Sequence, residues 1–212
     1  MIQITENFFK DPYVIRNKAI SFLRSDTIVS GDRLRGLKNH SYTGRNWPGK
    51  RYDVPDNIKL QILSKIESIT NEKLGLLQSS FQAIDKSFME GIVHCDMHAK
   101  YTCVIFLNLQ APYNTGLEIY DEKLGDLTEK GDMLDEVEVF KRKFYESNRT
   151  FIDKFIFKRT LNKVNSIFKD PCVVSNKFNR SVVFDGPLVH RAQNFCGNDI
   201  NNSRLTIVSF FQ

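Results

Sequence analysis

The sequence predicts an α+β chain, mainly β: a sandwich or jelly roll with supporting N-terminal helices and an inserted helical segment. Three features predict it. Two amphipathic stretches of helical period occupy the first third, several short apolar strands with turn signals occupy the rest, and a segment of segregated charge interrupts those strands. With 212 residues, 41% of them hydrophobic and 26% charged, a single domain can bury a proper core unaided. The expected division is 1–75 for the helical layer and 76–212 for the β core, with an insertion at about 121–170.

The first helix is expected over Asp11 to Arg24. Asp11 can cap it, Pro12 suits the first turn, and Ile15, Ala19, Phe22 and Leu23 recur at helical spacing. A polar stretch with Gly31, Gly36 and the Trp47-Pro48-Gly49 turn reads as loop. The second helix starts near Pro55-Asp56, carries Ile58, Ile62, Ile66 and Ile69 on one face, and ends by Gly75. Both stripes are expected to be core. Strands are expected at Phe81–Ile84, Gly91–Val93, Tyr101–Leu109, Gly116–Tyr120, Ser181–Phe184 and Leu205–Phe211, the last closing the sheet.

Asp121 to Glu138 carries eight acidic residues against two basic, and Lys141 to Asp170 nine basic against three acidic. From Phe140 onward Phe140/Phe144, Phe151/Phe155, Ile152/Ile156 and Leu161/Val164 fit helical spacing. The expectation is a helical excursion between strands, either a lid that grips substrate or an outer supporting layer.

Composition narrows the function classes. No apolar run is long enough to span a bilayer, and the polar N-terminus lacks the layout of a secretory signal. A cytoplasmic location is expected, the host cytoplasm for a viral protein, with no membrane partner. Cys95, Cys103, Cys172 and Cys196 form no metal-knuckle or disulfide spacing and are expected to be buried free thiols. A soft thiolate at Cys95 competes for a metal role, but strand alternation turns it away from its neighbours. The net charge of +5 is concentrated between Arg24 and Arg51, with Arg33, Arg35, Lys38, Arg45 and Lys50 among them. A solvated surface is the expected role, and an acidic substrate or a nucleic acid stays open without a motif to support either.

The chemistry concentrates in the histidines. His94-Cys95-Asp96 places an imidazole and a carboxylate two residues apart, and on a strand such a pair shares one face. Alone the triplet is common and is ordinarily a strand-end surface feature. His190 follows the Asp185-Gly186-Pro187 turn and is expected at a strand start. Two histidines and one carboxylate occupy one face of an octahedral ferrous ion and leave three positions open, whereas structural zinc takes four protein ligands. Arg204, fourteen residues after His190, opens the last strand, and Thr206 shares its face. A guanidinium fork suits a carboxylate, although an arginine at a strand end is more often simply exposed. His98 would share a helical face with His94, as in some zinc sites, but the segment reads as strand then loop, which leaves His98 at a rim or surface. His40 lies in a polar loop and is expected to be solvated.

Taken in order, His94-Cys95-Asp96, Tyr101 to Asn108, Gly116 to Tyr120, Ser181 to Phe184, His190 and Arg204-Leu205-Thr206 resemble the Fe(II)- and 2-oxoglutarate-dependent oxygenases. The likeness is to the prolyl-4-hydroxylase-like branch of the double-stranded β-helix (jelly-roll) superfamily. It covers the second half of the chain, interrupted by the insertion. The front part, with Asp11-Pro12 and Trp47 to Arg51, is similar to small oxygenase-like proteins of bacteria and their viruses. The resemblance implies iron held by His94, Asp96 and His190, and 2-oxoglutarate held by Arg204 with help from Thr206. It places Thr102, Phe106 and Asn108 along the cosubstrate pocket. Two departures stand out: Asn114-Thr115-Gly116-Leu117 replaces a Gly-Gly-Thr type turn, and Phe106 lies where an aromatic hydroxyl is frequent.

The implied activity is a dioxygenase, usually a hydroxylase, that couples decarboxylation of 2-oxoglutarate to succinate with oxidation of a small-molecule or peptide substrate, with ascorbate as a reductant. Desaturation and demethylation are alternative outcomes. Two rival expectations share the fold: an inactive jelly-roll binding module, and a cupin-like metal enzyme that ignores 2-oxoglutarate.

Overall fold

A computed structural model describes residues 1–24, 49–123 and 151–212. Helix α1 (Pro12–Arg24) buries Ile15, Ala19, Ile20 and Leu23, and helix α2 (Asp56–Thr70) buries Ile58, Ile62 and Ile66. Phe22 is partly exposed and stacks on Tyr52, with ring centroids 4.6 Å apart. Asn71 ends α2 in the left-handed region, φ 56°, and its N–H returns to the Glu67 carbonyl. Asparagine tolerates that conformation better than most residues.

The strands are β1 (Ile2–Thr5), β2 (Lys50–Asp53), β3 (Leu76–Ile84), β4 (Tyr101–Phe106), β5 (Leu117–Lys123), β6 (Cys172–Val174), β7 (Ser181–Asp185), β8 (Leu188–Ala192) and β9 (Arg204–Phe211). A six-stranded antiparallel sheet runs β1-β7-β4-β9-β3-β2, and a three-stranded one runs β6-β5-β8. Period two divides the large sheet between two cores. Phe81, Tyr101, Cys103, Ile105, Leu205, Ile207 and Phe211 pack beneath α1 and α2. On the opposite face Val104, Phe106, Val182 and Phe184 pack against Leu117, Ile119, Val174 and Leu188 of the small sheet. Both faces of β4 are therefore covered, which accounts for its unbroken burial. The result is the mixed, jelly-roll-like architecture expected.

Several elements differ from expectation. The strands β1, β2 and β6 carry no clear apolar pattern: Ile2 and Ile4 are exposed at a sheet edge, β2 reads Lys-Arg-Tyr-Asp, and β6 is three residues long. Pairing with β3 turns the expected loop at Lys50–Asp53 into a strand. Residues Gly91–Val93 form no ladder strand; the segment touches the sheet by two isolated bridges, Glu90 to Asn194 and His94 to His190. Most of the expected insertion lies between β5 and β6, and helix α3 (Phe151–Asn165) is the helix among its described residues. The Phe140/Phe144 pair, His40 and most of the basic N-terminal stretch lie outside the described residues. In α3 the buried stripe is Phe157, Leu161 and Val164, whereas Ile152, Phe155 and Ile156 are exposed. The buried set spans i, i+4 and i+7, so a full stripe outweighed the isolated i, i+4 pairs. Of the thiols, Cys103 and Cys196 are buried, Cys95 is half-buried and Cys172 is exposed. Among the described residues, no helix is long and apolar enough to cross a membrane.

Ile62 is fully buried between α2 and the large sheet. Ile62→Ala is expected to lower unfolding free energy by about 2–5 kcal/mol. Leu60→Ala, on the exposed face of the same helix, should change it by no more than about 0.5 kcal/mol. Urea unfolding midpoints of the two variants check the assignment.

Candidate metal centre and its pocket

His94 and His190 are brought together by the backbone. They form a hydrogen-bonded antiparallel pair, His94 N to His190 O at 3.0 Å and His190 N to His94 O at 2.8 Å, and opposed residues of such a pair project to the same side. Their rings lie 4.3 Å apart between centroids. His190 sits in the middle of β8 rather than at its start. Each imidazole is oriented through its own strand: Nδ1 of His94 lies 2.9 Å from the Ile92 carbonyl, and Nδ1 of His190 lies 2.8 Å from that of Leu188. A carbonyl can only accept, so each Nδ1 carries a proton and Nε2 is the ring nitrogen left to face the metal position.

Asp96 completes the group. Its carboxylate lies 3.3 Å from His190 Nε2 and 3.9 Å from His94 Nε2, and ligand atoms of the three residues all fall within 4.8 Å of one another. The Asp96 N–H donates to the Gly186 carbonyl at 2.8 Å, and the Gly186 N–H donates to Lys100 O at 2.9 Å. The β7–β8 turn is thereby pressed against the 96–100 loop. A Cβ on Gly186 would stand 2.2 Å from the Ala99 carbonyl oxygen, so only glycine fits there. Burial would raise the Asp96 pKa, but His190, His94 and the Thr102 hydroxyl hold it well below the usual carboxylate range.

The pocket in front of these residues is walled by Arg51, Gln82, Ile84, Ile92, Thr102, Val104, Phe195, Arg204, Val208 and Phe210, among others. Arg204 is 3% exposed. It donates from Nε to Thr115 O at 3.0 Å and from Nη2 to Gly116 O at 3.3 Å, and its Cζ lies 5.5 Å from the Phe106 ring centre. Burial pushes its pKa down to about 10, so it stays charged at neutral pH. No carboxylate among the described residues pairs with it. Thr206 Oγ1, two residues on, is buried and takes no hydrogen bond, and Thr206 itself is outside the pocket lining.

The other expected pocket residues have separate places. Thr102 lines the pocket but donates its hydroxyl to Asp96 Oδ2 at 2.8 Å. Phe106 is outside the lining, buried in the core between the sheets with its ring under the Arg204 guanidinium. Asn108 is outside the lining: its amide donates to Ser203 O and accepts from the Leu205 N–H, at 2.7 and 2.8 Å, and so pins the backbone on either side of Arg204. His98 is exposed, with its ring 4.8 Å from that of the pocket residue Phe210. Cys95 is outside the metal-ligating group, and burial raises its thiol pKa.

Two residues of the site are not marked in the sequence. Arg51, expected on a solvated surface, is 8% exposed and faces the pocket. Asn165, at the end of α3, accepts from the buried Val93 N–H at 3.2 Å and donates to the Gly91 carbonyl at 3.1 Å. It thus replaces the ladder partners that Gly91–Val93 lacks, and α3 braces the segment carrying His94. Behind His190, Arg191 bridges Glu90 and Glu118, and Tyr120 and Gln193 donate to Glu118. Asn165→Ala strands a buried N–H and should cost about 1–3 kcal/mol of stability. It should also weaken metal binding by roughly tenfold, as loss of outer support commonly does. Denaturant unfolding and a Co(II) titration measure the two effects.

The sequence matches no family model and no curated protein. Solved structures do match. A prolyl hydroxylase from Trichoplax adhaerens in complex with a hypoxia inducible factor oxygen degradation domain peptide fragment is 10% identical, with TM-score 0.56 over 99% of this chain and 83% of that one. EctD from S. alaskensis with bound Fe is 11% identical, TM-score 0.58, over 100% and 72%. The non-heme alpha ketoglutarate dependent epimerase SnoN is 10% identical, TM-score 0.57, over 100% and 78%. At such identities the likeness is one of fold: this chain has the double-stranded β-helix fold of the 2-oxoglutarate/Fe(II) oxygenases and carries a His-Asp-His group in it.

Proposed function

We propose that this protein is an Fe(II)- and 2-oxoglutarate-dependent oxygenase, acting as a hydroxylase on a small-molecule or peptide substrate with ascorbate as an accessory reductant. One observation carries the proposal: a compact His94-Asp96-His190 group shares a pocket with Arg204, a buried cation without a carboxylate partner among the described residues. Three converging donors on one side suit a ferrous ion that must also hold other ligands. The orphaned Thr206 hydroxyl beside Arg204 suits the far carboxylate of a dicarboxylate whose near end reaches the metal.

Bound iron and 2-oxoglutarate would supply the oxidising power, with decarboxylation to succinate coupled to oxidation of substrate. The chain supplies position and environment. His94 and His190, locked by their Nδ1 hydrogen bonds, aim Nε2 at the metal position. Thr102 orients the Asp96 carboxylate. Arg204 and Thr206 fix the cosubstrate end, while Phe106, Val104 and Val208 keep water from it.

The test is formation of succinate from 2-oxoglutarate by the purified protein under air, with and without Fe(II). Succinate that requires Fe(II) and disappears in His190→Ala supports the assignment. Production unaffected by that change, or no Fe(II)-dependent production, contradicts it.

A further inference from the structure

The two histidines of the metal centre stand on unequal supports. His190 lies within β8, which pairs with β5. His94 ends a segment, 90–94, that has no ladder of its own. That segment meets β8 through the isolated bridges Glu90–Asn194 and His94–His190, and through the Gly91 N–H, which donates to Ala192 O at 3.0 Å. So few pairings specify register more weakly than a full ladder does.

Side chains supply the missing constraint. Arg191 follows His190 and, by strand alternation, faces the opposite side of β8, where Glu118 stands directly across on β5. Its Nε donates to Glu118 Oε2 at 2.5 Å and its Nη1 donates to Glu90 Oε2. One planar guanidinium therefore joins the strand of His190, the neighbouring strand and the first residue of the His94 segment. Glu118 is fixed in turn by Tyr120 Oη at 2.8 Å and Gln193 Nε2 at 3.1 Å. One arm of the fork is thus anchored on the small sheet while the other holds Glu90. The side chains of Glu90, Glu118 and Arg191 are at most 20% exposed, which limits screening of these bonds by water and salt. Two donors on one rigid group set an angle as well as a distance, which the single nitrogen of a lysine does not.

We infer that Glu90 and Arg191 are positioning residues of the metal centre: their ion pair holds the 90–94 segment at the register where Nε2 of His94 and Nε2 of His190 converge on one ion. This rests on the metal role of His94, Asp96 and His190 proposed above. Neither Glu90 nor Arg191 belongs to the metal-ligating group, so both act through the histidines.

The experiment uses the intact protein, with Co(II) as the probe metal and Glu90→Ala as the variant. That change opens the clamp and leaves Arg191 paired with Glu118, so it strands no cation. Glu90→Ala is expected to weaken Co(II) binding roughly tenfold or more, as loss of outer support commonly does. At saturating Co(II) its visible ligand-field bands should differ from those of wild type, because the ligands are the same and their geometry is changed. In the metal-free protein, the backbone N–H groups of His94 and His190 should exchange with solvent faster, by a larger factor than those of β4. Ile62→Ala, which weakens the core beneath the helices, is the control for a merely structural effect. It should leave Co(II) affinity within about threefold of wild type and the bands in place. It should also speed exchange in β4 at least as much as at the histidine pair. Should Glu90→Ala not fold, Arg191→Lys keeps the charge without the fork and should move all three readouts in the same direction.

A clamp variant with the Co(II) affinity and bands of wild type, or one whose changes Ile62→Ala reproduces, overturns the inference while the metal centre stands. Failure of wild type to bind Co(II) marks failure of the metal assignment itself, and the inference falls with it.

Discussion

Arg204→Ala is expected to abolish useful 2-oxoglutarate binding while leaving metal binding nearly intact. The guanidinium is buried and holds two backbone carbonyls, with no carboxylate among the described residues to neutralise it. A bound dicarboxylate would complete it, and removing one partner of a buried charge pair costs about 3–5 kcal/mol. That is a loss of roughly two to three and a half powers of ten in affinity. Thr206→Val removes one hydrogen bond to a charged group and should cost less, about 1.5–3 kcal/mol. Anaerobic titration of 2-oxoglutarate into the Fe(II) protein measures both. Unchanged affinity in Arg204→Ala would favour a cupin-like metal site that does without this cosubstrate.

Asp96→Ala carries the second large effect. Asp96 is the one carboxylate of the metal-ligating group and is 4% exposed. Its loss should reduce metal affinity by more than the ~100-fold reached by outer-support variants alone. The fold should survive without metal, because removing a buried charge also removes its desolvation cost. Metal at a hundred times its Kd stabilises the native state by about 2.7 kcal/mol. For a chain of this size that is a rise of roughly 5–10 °C in Tm. Wild type should show the rise with Fe(II) or Co(II), and Asp96→Ala should show none. A full metal-induced rise in the variant would place the metal elsewhere.

The metal group was legible in the sequence because its signals are local. His94 and Asp96 lie two residues apart, although a bridge and a loop rather than the expected strand present them, and His190 and Arg204 lie in the right order beside turn and strand signals. The neighbouring roles are not local. Face parity correctly puts Thr102 and Thr206 on the inner side of their strands, but only the fold decides that Thr102 donates to Asp96 while Thr206 is left without a partner. Asn108 has the same parity, yet its amide is taken up by Ser203 and Leu205, nearly a hundred positions away in the chain.

Arg51 was hidden because Lys-Arg-Tyr-Asp has the composition of a charged loop. Its pairing with β3 alone turns it inward. Asn165 looks like an ordinary polar residue at a helix end, and its bonds reach back more than seventy residues. The isolated bridge between His94 and His190 has no alternating pattern to announce it, because a two-residue contact is too short to carry a period.

The measurement that bears most directly on the central claim is a crystal structure of the protein loaded anaerobically with Fe(II) and 2-oxoglutarate, the metal located by its anomalous scattering. It should show iron on Nε2 of His94, Nε2 of His190 and the Asp96 carboxylate, with the far carboxylate of 2-oxoglutarate on Arg204 and Thr206. Iron held instead by His98 or Cys95, or a cosubstrate whose far end lies on Arg51, would contradict it.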